Sequence, residues 1–437
     1  MLESSFHRYS IYLSICLLLV IILATPSFAQ TNQTLKSYVQ QAQKAYKEKN
    51  YPVLIDNMKQ ALEVRPNYGL YTYHLAIGYA LNGNQQEAFS WLNRLAEMGL
   101  VYNVAANEDF KSLRGTSEFT AIVDRFKRNA EPVGSSESAF SISEKGVVPE
   151  GLAYDPLSKT FFIGSVYKRK IISVNARGES KEFSSPADGL WSVMGMRVDA
   201  ARRLLWVCTA SHQQMINFKP EEKGQSGVFK YDLKTGKLLK KYVLPAGKEH
   251  WLGDLVLNTQ GTVFTSDSVS PAIYFLNPKT DALELFLENE AFVNPQGLAF
   301  SAGDKQLFMA DYLKGVFIID PKRKTVSLLA PAEGTTMFGI DGLYSFHGEL
   351  VGVQNGVNPN RIIRLSLNEK RSAVKKLAVL EANNKLFDEP TLGVLDGNAF
   401  YYIANSQWGM IDDKGKLAAE EKLKDPVILK LSLHEPN

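Results

Sequence analysis

The chain has 437 residues, 45% hydrophobic and 22% charged, which is ample for a large core and unlike the charge-rich make-up of a disordered protein. Lys and Arg number 49 against 46 Asp and Glu, so a net charge of +3 gives no electrostatic basis for nucleic-acid binding. Two cysteines exclude a disulfide framework, and 19 Tyr with 23 Phe suit a chain rich in strands.

At the N-terminus His7 and Arg8 precede an apolar run, Ile11 to Ala24, followed by Thr25-Pro26-Ser27-Phe28-Ala29. A basic start, a short apolar stretch and small residues at Ser27 and Ala29 predict a secretory signal over residues 1–29, cleaved before Gln30. The rival is a membrane anchor, but the run falls short of the roughly 20 apolar residues a span needs. Cleavage removes Cys16 and leaves Cys208 as the one thiol. The expected location is therefore periplasmic or secreted, with no integral membrane segment in the mature chain.

Residues 30–130 carry a helical pattern that recurs after about 34 residues, with Ala42 mapping to Ala76 and Ala61 to Leu95. Small residues at Ala42, Ala76 and Ala88 permit close helix approach, and Tyr46, Tyr79 and Leu92 are expected to fill the space between helices. The period resembles the tetratricopeptide repeat, the alternative being a plain helical bundle. Repeats of that kind imply a protein partner. Residues 131–138, Glu131-Pro-Val-Gly-Ser-Ser-Glu-Ser138, read as a linker.

Over residues 139–437 six segments superpose, opening at Gly151, Gly195, Asp254, Gly297, Gly342 and Gly393 at spacings of about 43 to 59 residues. Each opening leads into an alternating apolar strand, a turn, and a second strand such as Leu307-Phe-Met-Ala-Asp311. A third strand of the type Ile171-Ile-Ser-Val174 follows. Six copies of one pattern predict a six-bladed β-propeller; a β-sandwich has similar strands but no such repetition. The segment from Phe140 is expected to pair with the last blade and close the ring. The fold class is thus N-terminal tetratricopeptide-like helical repeats followed by an all-β propeller.

In a propeller the innermost strands begin at one mouth of the central channel, so the residues before the openings face one another. These are Glu150, Met194, Gly253 (with Asp254 next), Gln296, Asp341 and Leu392. Carboxylates converging with an amide favour a hard divalent cation such as Ca²⁺ or Mg²⁺ between them. The alternative is that Glu150 and Asp341 only bond backbone or water at a wet mouth.

Pro149-Glu150-Gly151-Leu152, Asn294-Pro-Gln296-Gly297-Leu-Ala-Phe-Ser301 and Ile340-Asp341-Gly342-Leu343 resemble the gluconolactonase / senescence-marker-protein (regucalcin) family over about residues 140–432. The resemblance implies a divalent metal at the channel mouth and hydrolysis of sugar lactones or related esters. It implies Glu150 as a ligand and Asp341 as ligand and general base. Gly253 and Gln296 stand where the family carries Asn, so Gln296 and Asp254 complete the expected metal set.

The expected substrate-binding residues are His212, His250 and Trp191, which border the mouth or offer a wall to a ring-shaped ligand. Trp408 is a further aromatic candidate, with packing as its alternative role, and Asn355 and Asn405 read as turn residues at strand ends. No G-x-S-x-G, HExxH, CxxC or P-loop motif occurs, which removes covalent-serine, zincin, thiol-redox and P-loop chemistry. Two functions remain in view. One is an exported metal-dependent hydrolase acting on a small lactone, ester or carbohydrate-derived ligand; the other is a non-catalytic propeller scaffold with a helical interaction module.

Overall fold

The computed structural model describes residues 28–434, so the expected signal falls almost wholly outside the described residues. Five α-helices come first: α1 (Phe28–Lys47), α2 (Tyr51–Val64), α3 (Gly69–Leu81), α4 (Gln85–Glu97) and α5 (Ser117–Asn129), with a 3-10 helix Glu108–Leu113 before the last. Among the described residues, no helix is long and apolar enough to cross a membrane.

Local sequence sets the helix ends. The Asn50 side chain accepts from Val53 N–H at the head of α2, with Pro52 in the first turn where its missing N–H costs nothing. Thr116 accepts from Phe119 N–H at the head of α5. Ala61, Ala76 and Ala88 are fully buried and let the helices pack closely around Leu75, Leu92 and Leu95. Tyr79 and Leu92 are buried as expected, but Tyr46 is 44% exposed and its hydroxyl donates to Asp109 instead of filling the interior.

The rest of the described chain is a six-bladed propeller, each blade a four-stranded antiparallel sheet. The first five innermost strands are Pro149–Asp155, Ser192–Asp199, Leu252–Leu257, Pro295–Phe300 and Ile340–Phe346; the sixth is Gly393–Asp396. Each touches the next, and the sixth returns to the first. Ring closure comes from Glu137–Ser141, which pairs antiparallel with Val427–Ser432 as the outer strand of blade six. That strand begins at Glu137, within the stretch read as linker. Stitching first and last segments into one sheet leaves no open blade edge between them.

The repeated register has a structural basis. In each of the first five blades, an advance of three residues on the innermost strand matches two on its neighbour. The bulges contain Glu150-Gly151, Met194-Gly195, Gly253-Asp254, Gln296-Gly297 and Asp341-Gly342. A bulge bends its strand and re-aims one side chain, so five equivalent bulges direct five equivalent positions to the channel mouth. The glycine of the pair answers to space: a Cβ on Gly151 would strike the Met194 carbonyl, and one on Gly297 would strike the backbone at Asp341 and Leu343.

The helical region docks on blade five. Arg361, 1% exposed, donates through Nε to Gln354 at 2.7 Å and through Nη1 to the Met98 carbonyl at 2.9 Å. Val101 N–H donates to the Asn358 carbonyl at 2.7 Å, while Asn383 donates to the Asn129 and Glu131 carbonyls. Tyr68 packs edge-on to Phe338, ring centres 5.2 Å apart.

Candidate functional site

Glu150 and Asp341 both issue from bulges, in blades one and five. Glu150 is buried, and its Oε2 accepts from the Trp408 indole N–H at 2.8 Å. Asp341 opens partly to the channel, and its Oδ2 accepts from Asn355 Nδ2 at 2.8 Å. Among the described residues, Glu150 Oε1 and Asp341 Oδ1 accept no hydrogen bond, and neither carboxyl forms a salt bridge. Lost hydration, then the Asp341 charge, push Glu150 well above the usual carboxylate range. Lost hydration likewise pushes Asp341 up to about 7, against the Asn355 hydrogen bond and with help from the charges of Asp254 and Glu389.

Asp254, the third carboxylate of the expected metal set, carries an ion pair of its own. Its side chain turns back toward blade two, where Oδ2 lies 3.2 Å from Arg197 Nη2 and Oδ1 would meet a Cβ on Gly195. The guanidinium of Arg197, half-buried, also sits over the Tyr344 ring. Asp254 Oδ1 is buried and accepts no hydrogen bond among the described residues.

Gln296 occupies a different place from the one its extra methylene would leave idle. Its Nε2 donates to Asn294 at 2.9 Å, and Oε1 lies 3.3 Å from where a Cβ on Gly253 would stand. The amide oxygen thus covers the position at which Gly253 offers no side chain. Among the described residues no group of three or more His, Cys, Asp or Glu side chains is placed to hold a metal ion. Glu150 Oε1, Asp341 Oδ1 and Gln296 Oε1 accept no hydrogen bond among the described residues.

The mouth is spanned by aromatic rings. His212, in the loop after the second strand of blade two, stacks on Trp251 of blade three at 4.1 Å and 9°. Trp408, from the blade-six loop, lies 5.8 Å from His212 and 6.4 Å from Trp251. Blades three and six face each other across a six-membered ring, so these rings meet over the channel. The long blade-six loop is pinned at its base by Asn405, which accepts from Val427 N–H and donates to the Asp425 carbonyl. Gln213 Nε2 donates to the Asp413 carbonyl, tying the loops of blades two and six together.

His212 is 6% exposed; Nδ1 accepts from Gln214 N–H, and Nε2 has no partner. Burial holds its pKa down to about 4, so the ring is neutral and presents Nε2–H as a donor.

The other two expected substrate residues are hydrogen-bonded to neighbouring carboxylates. His250 is bonded through Nδ1 to Asp267 Oδ2 at 2.6 Å. Asp267 also accepts from the N–H groups of Trp251, Val269 and Ser270. Asp311 does the same work one blade on, accepting from Val293, Asn294 and Leu313, so the His250 partner is a repeated loop anchor. Trp191 packs on Phe229 and donates to Glu222 at 3.2 Å, with no ring contact to the mouth cluster.

Two residues outside the expected site set belong to the site. Asn355, taken for a turn residue, holds Asp341 and accepts from the Tyr312 hydroxyl at 2.9 Å. Glu389 adds a negative charge felt by both Glu150 and Asp341. Asn355 follows the second strand of blade five, a position equivalent to the repeated strand ends, and that equivalence was the one available signal.

No family model matches the chain, and no curated protein matches it. Solved structures similar to it include a gluconolactonase from Xanthomonas campestris, at 12% identity over 69% of this chain and 99% of that one, TM-score 0.47. A calcium-binding protein, regucalcin, from Agrobacterium tumefaciens is 13% identical over 70% and 97%, TM-score 0.49. A PQQ-bound aldose sugar dehydrogenase from Streptomyces coelicolor is 15% identical over 69% and 98%, TM-score 0.47. At such identities the likeness concerns fold alone, and the site stands on its own geometry.

Proposed function

We propose that the channel mouth binds a hard divalent cation, Ca²⁺ first among candidates, and hydrolyses a small lactone or ester there. The observation that supports this reading is the pairing of two desolvated carboxyls, Glu150 and Asp341, with no protein cation beside either among the described residues. Such a pair is ionised at neutral pH only when a cation compensates it. The donor set fits: Glu150 Oε1, Asp341 Oδ1 and Gln296 Oε1 are all hard oxygens, and Gln296 covers the gap at Gly253.

A cation so held would polarise the carbonyl under attack and acidify a water. The chain's own residues do the rest. Asn355 fixes Oδ2 of Asp341 and so orients the carboxylate that takes the proton of the attacking water. Trp408 fixes Glu150 in the same way and walls the mouth against bulk solvent. His212 offers a neutral Nε2–H to a substrate oxygen, a donor that costs burial energy until something accepts from it. Water adds to the carbonyl carbon, the acyl–oxygen bond breaks, and the leaving oxygen receives the proton.

The test is a pH-stat screen of aliphatic and sugar lactones with Ca²⁺ or Mn²⁺, wild type against Asp341→Asn. Hydrolysis that falls at least about a hundredfold in the variant supports the reading, the scale of a lost general base; equal rates overturn it. A second reading, a non-catalytic binding propeller with the helical region as a tetratricopeptide-like interaction module, is favoured by Met194 and Gly253, which bring no ligand atom to the ring. Export, proposed from residues 1–29, is common to both readings.

A further inference from the structure

Gln296 and Asn355 are both amides, and an amide can present either its oxygen or its NH2 to a neighbour. Which end faces the channel decides whether the mouth suits a cation. Backbone carbonyls, which only accept, fix the sense of both. Asn355 Nδ2 donates to the Pro390 carbonyl at 3.0 Å and to Asp341 Oδ2 at 2.8 Å. Its Oδ1 therefore points the other way and accepts from the Tyr312 hydroxyl at 2.9 Å. Asn294 Nδ2 donates to the Ser268 carbonyl at 3.2 Å. Its Oδ1 is then free to accept from Gln296 Nε2 at 2.9 Å, which turns Gln296 Oε1 toward Gly253.

Tyr312 joins the two halves. It follows the Leu307–Asp311 strand of blade four, and its N–H donates to the Asn294 carbonyl at 2.9 Å while its hydroxyl reaches Asn355 in blade five. An unbroken chain of contacts thus runs from Gln296 through Asn294, Tyr312 and Asn355 to Asp341. Tyr312 is itself held in place. Its carbonyl accepts from Gly339 N–H at 2.8 Å, and its ring lies against Gly356, where an added Cβ would come within 2.6 Å of Cζ. Burial, then the Asp341 charge, push the pKa of its hydroxyl up, so it remains a donor.

We propose that Tyr312 and Asn294 are positioning residues of the channel mouth: they fix the sense of the Asn355 and Gln296 amides, so that an N–H braces the Asp341 carboxyl and an oxygen is offered to a cation. Tyr312 acts through Asn355. Removing its hydroxyl leaves Asn355 Oδ1 without a donor and frees the amide to turn, which releases the brace on Asp341. The consequence for cation uptake rests on the function proposed above; the amide frame does not.

The experiment has two arms, both on the full chain. In the first, side-chain amides labelled with ¹⁵N are followed by NMR for hydrogen exchange in EDTA. The Asn355 and Gln296 NH2 groups should be protected in the wild type. Tyr312→Phe should speed exchange at Asn355, and Asn294→Leu at Gln296, each by about tenfold, the scale of one hydrogen bond. In the second arm, calorimetric titration with Ca²⁺ should show Kd weakened about tenfold in Tyr312→Phe, the usual scale for a residue behind a metal ligand. Asn355→Leu should weaken Kd at least as much, and adding Tyr312→Phe to it should cost nothing further. A purely structural Tyr312 would lower the melting temperature and leave Kd as it was. Unaltered exchange in both variants, or an unaltered Kd in Tyr312→Phe, overturns the positioning role. No Ca²⁺ uptake by the wild type, with the exchange differences intact, overturns the cation reading and leaves the amide frame standing.

Discussion

Trp408 donates its indole N–H to Glu150 across 2.8 Å, and so joins a loop of the last blade to the innermost strand of the first. The contact places one neutral donor on a carboxyl that has no cationic partner among the described residues. Trp408→Phe keeps a ring beside His212 but leaves Oε2 unsatisfied. The expected loss is about 1–3 kcal/mol, the cost of orphaning a buried acceptor. Urea melts of Trp408→Phe, Glu150→Gln and the double variant check it: the pair should be non-additive, and strict additivity would separate the two residues.

Asp341 sets a pH dependence of unusual sign. Its pKa is pushed up to about 7, above the ordinary carboxylate value, chiefly by burial. The folded state then holds a proton that the unfolded state releases, so cation-free protein loses stability as pH rises from about 4 through 7. Asp341→Asn is expected to melt higher than wild type at pH 8 in the presence of EDTA, and a divalent cation should remove most of that difference. Thermal melts at pH 5 and pH 8 check the sign.

His212 gives the opposite case. Its pKa is held down to about 4 by burial, below the ordinary value of 6.5, so the unfolded state takes up a proton first. Stability is full above 6.5 and falls as pH drops toward 4, by about 3 kcal/mol if the whole shift is realised. His74 is lowered in the same direction, again by burial. His212→Gln should therefore flatten part of the slope between pH 6.5 and 4, and an unchanged slope would show that His212 is hydrated.

Arg361 is the buried charge at the junction of the two regions, and every acceptor it meets is neutral. Arg361→Ala strands the Gln354 and Met98 oxygens, at an expected cost of about 2–3 kcal/mol. The readout is limited proteolysis, which should speed up between residues 130 and 136 as the helical region loosens.

The propeller was legible because its physics repeats: an apolar strand on either side of a turn six times over, with a small residue at each of the five bulges. Glu150 and Asp341 were legible for the same reason, since equivalent bulges aim equivalent side chains. What lay off that register was not. Asp254 occupies a glycine position and turns toward Arg197, a partner 57 residues away in sequence. Trp408 reaches Glu150 from the far end of the chain. His250 looked like a candidate at the mouth, yet its partner Asp267 is a loop anchor whose counterpart is Asp311. Contacts made between loops of different blades leave no period in the sequence to reveal them.

Isothermal titration of EDTA-treated, dialysed protein with Ca²⁺ and with Mn²⁺ tests the central claim most directly. One ion per chain in the wild type, with binding lost in both Glu150→Gln and Asp341→Asn and kept in Asp254→Asn, is the expected result. No uptake by the wild type at millimolar ion, or uptake unchanged by the two variants, would contradict it and leave the channel mouth a protonated carboxyl pair.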